Sequence, residues 1–472
     1  MYSYSFIIIL FLLAGSVHLK ESAKPFAVPA QQRLSEVPQE SSADFPCRKC
    51  DYIIKGYHNK GTQFVLPGQV ICLDAAIRYE NVVLQKVKGT KDKPIIIRNC
   101  GGVARITSSG SFGLKIEESE NFKLVGDGVK DSLYGIRVTT KRGFYVALEK
   151  FTTDFEISRI EIAGGNKNGL GEEAGFAGIG IKTSPYQDCA LFTDSTRQAW
   201  IMRNISVHHN YIHDTGGEGM YIGHGFYKGR KEPKCPAMTY SHSIKGLRVH
   251  HNLVENTGFD GIQIKNADED VEIYNNTIRN FGTRGKGAQN EGLFIGEGVT
   301  GKVYNNLIDK GTGHGISFQG MGNNQFYNNV ILNAGDDGFN GSGSTMAVYI
   351  PDGYFMFFNN TIYNSGEDGF VFFHNHGGKK MVMNNIVVKA GHKLTSRGGR
   401  LDSSNNIFTQ SIKRLRFLDS DTLHADLRLR IGSPAINKGI DVRKYHCELT
   451  FDFLKNPRPK GGAYDIGAYE IE

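Results

Sequence analysis

The sequence predicts an all-β chain folded as a right-handed parallel β-helix, a solenoid of short strands, on three observations. The first is a repeat, hydrophobic–ring–X–Asn, found at Val207-His208-His209-Asn210, Val249-His250-His251-Asn252, Ile273-Tyr274-Asn275-Asn276, Val303-Tyr304-Asn305-Asn306, Phe326-Tyr327-Asn328-Asn329 and Phe357-Phe358-Asn359-Asn360, with weaker copies ending at Asn385 and Asn406. The second is a marker between most copies: an acidic residue, then Gly, then a strand, as in Asp260-Gly261-Ile262-Gln263-Ile264. The third is apolar alternation at period two rather than 3.6, in runs too closely spaced for a crossover helix. Self-similarity at this period is the signature of stacked coils.

Each position in the repeat becomes a column when coils stack about 4.8 Å apart. Val207, Val249, Ile273, Val303, Phe326, Phe357 and Val382 are expected to point inward as core. His208, His250, Tyr274, Tyr304, Tyr327 and Phe358 form an outward stack of rings. Asn210, Asn252, Asn276, Asn306, Asn329, Asn360, Asn385 and Asn406 form an amide ladder, because Asn tolerates turn backbone and identical amides pair along a stack. The right hand follows from the usual crossover rule.

A solenoid carries 472 residues as one unit. Residues 1–16 read as a cleaved signal peptide: Phe6 to Ala14 is apolar but too short to span a membrane, and Gly15 and Ser16 follow, although MYSYS lacks the usual Lys or Arg. Residues 17–46 read as a disordered linker with Pro25, Pro29 and Pro38. Residues 47–110 are assigned to an N-terminal cap and first coils, 111–430 to the repeats and 431–472 to a C-terminal cap. Such a chain is expected to be secreted, periplasmic or on the cell surface, with no transmembrane segment after the leader, and to be monomeric.

Seven cysteines suit an oxidising compartment. Cys47-Arg-Lys-Cys50 lacks a second pair of ligands for zinc, so a local disulfide, or pairing of either residue with Cys72, is preferred, and the odd count leaves a thiol over. The net charge of +7 is spread along the chain without a basic run, which argues against nucleic acid and is compatible with an anionic polysaccharide.

The segments Leu66-Pro67-Gly68-Gln69-Val70-Ile71 and Gly89-Thr90-Lys91-Asp92-Lys93-Pro94-Ile95-Ile96-Ile97 resemble the opening coil of secreted bacterial β-helix proteins of the pectate-lyase-like superfamily, including the chondroitinase B and alginate lyase type of polysaccharide lyase. The tail Gly432-Ser433-Pro434-Ala435-Ile436-Asn437, Asn456-Pro457-Arg458-Pro459 and Asp465-Ile466-Gly467-Ala468-Tyr469-Glu470 is similar to the tail of the same group. The resemblance spans about residues 50 to 472 and is specific for fold rather than activity, since these helices host lyases, hydrolases, epimerases and binding proteins.

Longer coils show where extra chain lies. The ladder step from Asn210 to Asn252 carries a basic insertion from His224 to His242, where Tyr227, Lys228 and Arg230 are candidate substrate-binding residues. The step from Asn276 to Asn306 carries Gly282-Thr283-Arg284-Gly285-Lys286-Gly287. Lying on adjacent coils, the two could wall one cleft.

The residue before the repeat Gly is Glu218, Asp260, Glu291, His314, Asp337 and Asp368, one per coil. Acid–Gly is ordinary turn chemistry, so this column has a bland structural reading as well as a functional one. Asp260 is followed five residues on by Lys265, a spacing similar to that of an acid and the proton-abstracting Lys in chondroitinase B-like lyases. That resemblance implies Lys265 as base, Arg284 as charge neutraliser, and Glu218, Asp260 and Glu291 as ligands of Ca²⁺, with β-elimination at a uronic acid as the reaction. The acids that the family pairs closely before the strand are here Asp260 alone. The rival is hydrolysis: Asp260-Gly261, Asn290-Glu291-Gly292 and Gly313-His314-Gly315 follow the order of polygalacturonase-like motifs, which would make Glu291 and His314 catalytic. The same scaffold would also suit a C5-epimerase or a non-catalytic carbohydrate-binding protein. His208, His209 and His213-Asp214 could be read as a general base with its orienting acid, although stacking in the ring column is preferred for His208 and His250, and His374 with His376 reads as a possible metal pair without a third ligand nearby.

Overall fold

A computed structural model describes residues 44–471 apart from 56–63, 128, 167–174, 342–349, 374–377, 397–399 and 422–424. The expected signal peptide, all but the last residues of the linker, and His374 with His376 lie outside the described residues.

Every coil runs through three strands that pair in parallel with the coils before and after. Sheet A has 13 strands, from Tyr52–Ile53 to Arg400–Ser404. Sheet B has 11, from Ala104–Ser108 to Ile407–Thr409, and sheet C has 11, from Val82–Gln85 to Leu394–Ser396. The chain is a right-handed parallel β-helix, as the repeat predicts.

The columns form in register. Val207, Val249, Ile273, Val303, Phe326, Phe357 and Val382 pair one to the next along sheet A and are all buried. Phenylalanine takes over toward the C-terminal end, where Phe326 and Phe357 stack at 4.9 Å and Phe339 and Phe370 at 5.1 Å. Burying a side chain of this size contributes roughly 1.5–3 kcal/mol. On the outer surface the rings of His208, His250, Tyr274, Tyr304 and Tyr327 stack at 4.7 to 5.0 Å. Phe358 continues the register but is sealed with Tyr327 beneath Val442, Cys447, Leu449 and Tyr464 of the C-terminal segment. The ring column is therefore solvent-facing over its first part only.

The amide ladder closes the turn between sheets A and B. The Asn306 side-chain oxygen accepts the backbone N–H of Asn276 at 3.1 Å and its side-chain amide at 3.0 Å. The Asn306 amide in turn donates to the Ile273 carbonyl and to Asn329, both at 3.0 Å. The same pattern runs from Asn210 to Asn406. The preceding residue is left-handed on each of these coils, which explains why asparagine dominates that position as well.

At the N-terminal end, Cys47 bonds to Cys100 and Cys50 to Cys72, tying the entering chain to the first strands of sheet A. The pairing of Cys50 with Cys72 is one of the two expected options. Cys189 bonds to Cys235, and Cys447 is the leftover thiol, buried with its pKa pushed up to about 12 by that burial.

The C-terminal segment, expected as a cap, lies sideways along the solenoid. It packs Leu415, Phe417, Leu429, Phe453 and Ile466 on the outer face of sheet B at Leu332, Tyr363 and Val388. The residues of the tail motif act at this contact. Arg458 and Glu470 form a fully buried pair at 2.9 Å, and Arg458 also donates to Asn328 at 2.7 Å and to the Gly467 carbonyl at 3.1 Å. Satisfied on all sides, the guanidinium clamps the tail to the left-handed position of one coil.

Replacing Asn306 by Ala strands two donors on Asn276 and takes one donor each from the Ile273 carbonyl and the Asn329 side-chain oxygen, the latter keeping the backbone N–H of residue 306. We expect a loss of about 2–4 kcal/mol in urea unfolding. A loss below about 0.5 kcal/mol would mean that the ladder does not bind the coils.

Candidate functional site

Sheet C is the face on which the long insertions converge. The His224–His242 insertion leaves from the end of the strand Met220–Ile222, on the edge leading to sheet A. The 282–291 segment enters from sheet B, on the opposite edge. The two insertions therefore stand on either side of one sheet, as two walls. Between them the strands turn Ile179 and Ile181, Met220 and Ile222, Ile262 and Ile264 inward. The alternate residues Gly180, Tyr221, Gln263, Phe294, Ser317 and Asn340 line the outer floor in register.

One wall is stapled. Cys189–Cys235 joins the insertion to the preceding loop, Tyr240 donates its N–H to the Phe192 carbonyl, and Arg197 donates to the Tyr227 carbonyl at 2.9 Å. Glu297, two coils further on, accepts the backbone N–H groups of Phe226 and Tyr227 at 2.7 and 3.0 Å. Of the expected substrate contacts, Tyr227 is thus an anchor of the loop, with Arg197 over its ring at 4.5 Å. Arg230 is exposed but paired with Glu232 at 2.7 Å, and Lys228 is exposed on the same wall.

The other wall folds back over the two preceding coils. Arg284 donates to the Gly216 carbonyl at 3.1 Å and lies over the Phe259 ring at 5.5 Å, and the Lys286 ammonium sits over the same ring at 4.9 Å. Phe259 packs edge-on against Phe176, which makes the rim aromatic as well as basic.

The acidic column is in register, and its side chains turn into the stack. Asp260 accepts the Glu291 N–H at 2.9 Å, Glu291 accepts the His314 N–H at 3.2 Å, and Asp337 accepts the Asp368 N–H at 2.9 Å. This is a second ladder, built from carboxylates instead of amides. Glu218, Asp260 and Glu291 are 0, 1 and 5 % exposed. Burial raises the pKa of Asp260 well above the usual carboxylate value, and the neighbouring Glu291 and Glu218 add to it. Burial also raises Glu291, against the pull of His314. Neither oxygen of Glu218 finds a partner on another described residue, and burial raises its pKa although Lys182, Lys265 and Lys286 all oppose the shift. His314 stands one coil beyond Glu291, 3.2 Å from Asp337. Burial works against its charged form, yet the Asp337 and Glu291 carboxylates outweigh that and raise its pKa.

Calcium takes six to eight oxygen ligands. Two of the three expected ligands already give an oxygen to a backbone N–H, all three are buried, and they are not among the described trios whose ligand atoms lie within 4.8 Å of one another. As they stand, these carboxyls do not fit a calcium shell, because the column turns inward to satisfy the backbone of the next coil. His213, bonded to Asp214 at 2.8 Å and stacked on Tyr211, belongs to the strand Tyr211–His213 of sheet B, away from this face.

Lys265 lies in the cleft as expected, and the structure adds Lys182. The strands Ile179–Ile181, Met220–Ile222 and Ile262–Ile264 are in register, so the next residues, Lys182, Gly223 and Lys265, share one column. Gly223 between them has φ +84° and no room for a side chain, since a Cβ would lie 1.9 Å from the Lys265 carbonyl. Gly296 on the following coil similarly leaves space for the Lys265 side chain. The Lys182 ammonium sits over Tyr221 at 4.7 Å and the Lys265 ammonium over Phe294 at 5.5 Å. Neither lysine forms an ion pair among the described residues, although both act on Glu218 through space. Burial lowers the Lys182 pKa below the ordinary lysine value, against Glu149 and Glu218, with Lys265 and Arg230 adding to the fall. The signal for Lys182 is present in the sequence: Gly178-Ile179-Gly180-Ile181-Lys182 repeats the frame of Gly261-Ile262-Gln263-Ile264-Lys265. The acidic marker is missing from that copy, because Ala177 stands in its place.

The family described as right handed beta helix region matches residues 237–350. Among solved structures, the pectate lyase Pel9A aligns with a TM-score of 0.47 at 14% identity, over 90% of this chain and 97% of that one. The alginate lyase from Paenibacillus sp. str. FPU-7 gives 0.36 at 15%, over 75% and 99%. The periplasmic alginate epimerase AlgG gives 0.38 at 12%, over 75% and 84%. No curated protein matches the sequence. The β-helix follows from the chain's own strands and ladders, with or without these likenesses.

Glu218 offers a direct measure of the site's electrostatics. Its folded pKa lies above its unfolded value, so its contribution is fully present at acid pH, below the unfolded value, and is lost as pH rises through the folded one. Glu218→Gln is expected to be more stable than the native chain at pH 8 by about 1–2 kcal/mol, with the gap closing toward pH 4. Thermal melts across pH check this, and a gap that does not change with pH would contradict it.

Proposed function

We propose that the protein binds a uronate-containing polysaccharide along the outer face of sheet C and cleaves it by β-elimination. The observation that carries this reading is the pair Lys182 and Lys265, two ammonium groups in one column over aromatic floor residues, without a carboxylate ion pair among the described residues. Such a pair is pre-set for the carboxylate of a sugar acid, while Tyr221 and Phe294 offer ring faces to the pyranose.

The two lysines divide the work. Lys265 neutralises the substrate carboxylate, which acidifies the adjacent C5–H. Lys182, whose ammonium is disfavoured by burial, accepts that proton. The electron pair released forms the C4=C5 double bond as the C4–O bond breaks, and the departing oxygen takes a proton from solvent water, whose hydroxide then takes the proton held on Lys182. Sequence reasoning gave the base role to Lys265 alone; the burial of Lys182 is the reason for moving it. Arg284 and Lys286, on the rim, attract further uronates of the chain. Hydrolysis by Glu291 with His314 has less support, since the Glu291 carboxyl is buried and bonded to the His314 backbone. The three disulfides fit an extracytoplasmic setting.

The test is absorbance near 235 nm on alginate, pectate and chondroitin panels, with and without EDTA. The native protein is expected to generate unsaturated product, and Lys182→Met and Lys265→Met to lose roughly 100-fold or more. Lys265→Arg should keep more activity than Lys182→Arg, because a guanidinium can neutralise a carboxylate but cannot accept a proton. The native rate should climb with pH along a limb below the ordinary lysine value, and Lys182→Arg should abolish that limb. New reducing ends without absorbance would replace the lyase by a hydrolase. Exchange at C5 without cleavage would point to an epimerase, and binding alone to a carbohydrate-binding protein.

A further inference from the structure

Sheet A carries, on its outer face and away from the cleft, two histidine pairs on consecutive coils, His208-His209 and His250-His251. On the next four coils the same two positions hold Tyr274-Asn275, Tyr304-Asn305, Tyr327-Asn328 and Phe358-Asn359. The second position is left-handed throughout, with φ of 54° at His209 and His251 and 53° at Asn275. Asparagine suits that backbone and tyrosine suits the ring stack. The fold therefore does not require histidine at any of the four places.

The imidazoles form a two-by-two array. His208 stacks on His250 at 4.7 Å and His209 on His251 at 4.9 Å, each within 2° of parallel. Within each pair the rings are perpendicular, which brings the Nδ1 atoms of His208 and His209 to 2.7 Å and those of His250 and His251 to 2.8 Å. Ligand nitrogens of His208, His209 and His250 all lie within 4.8 Å of one another. We propose that this array binds one borderline divalent transition ion, Zn²⁺ or Cu²⁺, through His208, His209 and His250, with His251 as a positioning residue.

Two features support the assignment. The Nε2 of His208 is 3.2 Å from the Glu156 carboxylate, which directs its N–H outward and leaves Nδ1 for the ion, the arrangement by which carboxylates orient metal-binding imidazoles. His251 accepts a hydrogen bond at Nε2 from the Asn275 amide at 3.1 Å, which fixes its ring against His250. The proton shared between the two Nδ1 atoms moves to Nε2 or to solvent as the ion enters, and the nitrogens part to roughly 3.3 Å, as bonds of about 2.0–2.1 Å to a tetrahedral ion require.

The chain, stripped with EDTA and desalted, is titrated with Zn²⁺ by calorimetry, and its Cu²⁺ form is read by electron paramagnetic resonance. The variants His209→Asn with His251→Asn, and His208→Tyr with His250→Tyr, install what the following coils already carry. The native chain is expected to bind one ion, with hyperfine coupling to two or more nitrogens. Both variants should lose roughly 100-fold in affinity with unchanged circular dichroism. Equal affinity in native and variant chains, or native binding weaker than about 0.1 mM, would overturn the site. Should a variant fail to fold, a native Cu²⁺ spectrum with fewer than two nitrogen couplings overturns it alone. The cleft on sheet C is not involved, so the outcome is independent of polysaccharide turnover.

Discussion

The register between coils is the constraint from which the rest of this structure follows. Each ladder asparagine is buried and finds its partners only on the coil before and the coil after. A buried amide left unpaired costs more than most single contacts return, so each coil must come back to the same point of the turn. Extra residues can then leave only where the ladder is not running. The described extra residues leave at the two edges of sheet C, after Ile179–Ile181 and Met220–Ile222 and before Leu293–Ile295. That is why a cleft forms on this sheet, and why the ring column on sheet A stays flat until the C-terminal segment covers it.

The same demand explains the acidic column. Asp260, Glu291, Asp337 and Asp368 each accept a backbone N–H from the following coil. They do for the turn into sheet C what asparagine does for the turn into sheet B, but with groups that prefer to be charged. Burial forces Asp260 and Glu291 toward the neutral form, and a histidine in the column at His314 relieves part of the repulsion. Glu218 begins the series, where Ala177 stands on the preceding coil, and its oxygens find no partner on another described residue. At that point the cations Lys182, Lys265 and Lys286 gather around the end of the ladder. The candidate site thus sits where a structural device starts, and its free charges are those the device leaves uncompensated.

Much of the fold was legible because solenoid contacts repeat. The places of Val249, His250 and Asn252 in one coil tell where their counterparts on six other coils must point, and the observed stacks agree. The site was legible only in part. Lys265 and the two walls were visible, since insertions interrupt a regular period. Lys182 is written in the same frame as Lys265, but without the acid that marks the later coils. Tyr227 was read as a substrate contact, whereas Glu297 and Arg197, distant in sequence, use it to hold the loop.

The sequence by itself determined what each residue does along the solenoid axis: which side chains are core, which form ladders, and which coils carry insertions. These depend on period-two alternation and on identical residues meeting at one spacing, both local properties of the chain. Only the tertiary structure decided what happens across the axis. It put the two basic insertions on opposite edges of sheet C, turned Glu218, Asp260 and Glu291 inward, and laid the C-terminal segment along sheets A and B. Those outcomes depend on which buried donor lacks an acceptor and which surface remains uncovered, and no single coil contains that information.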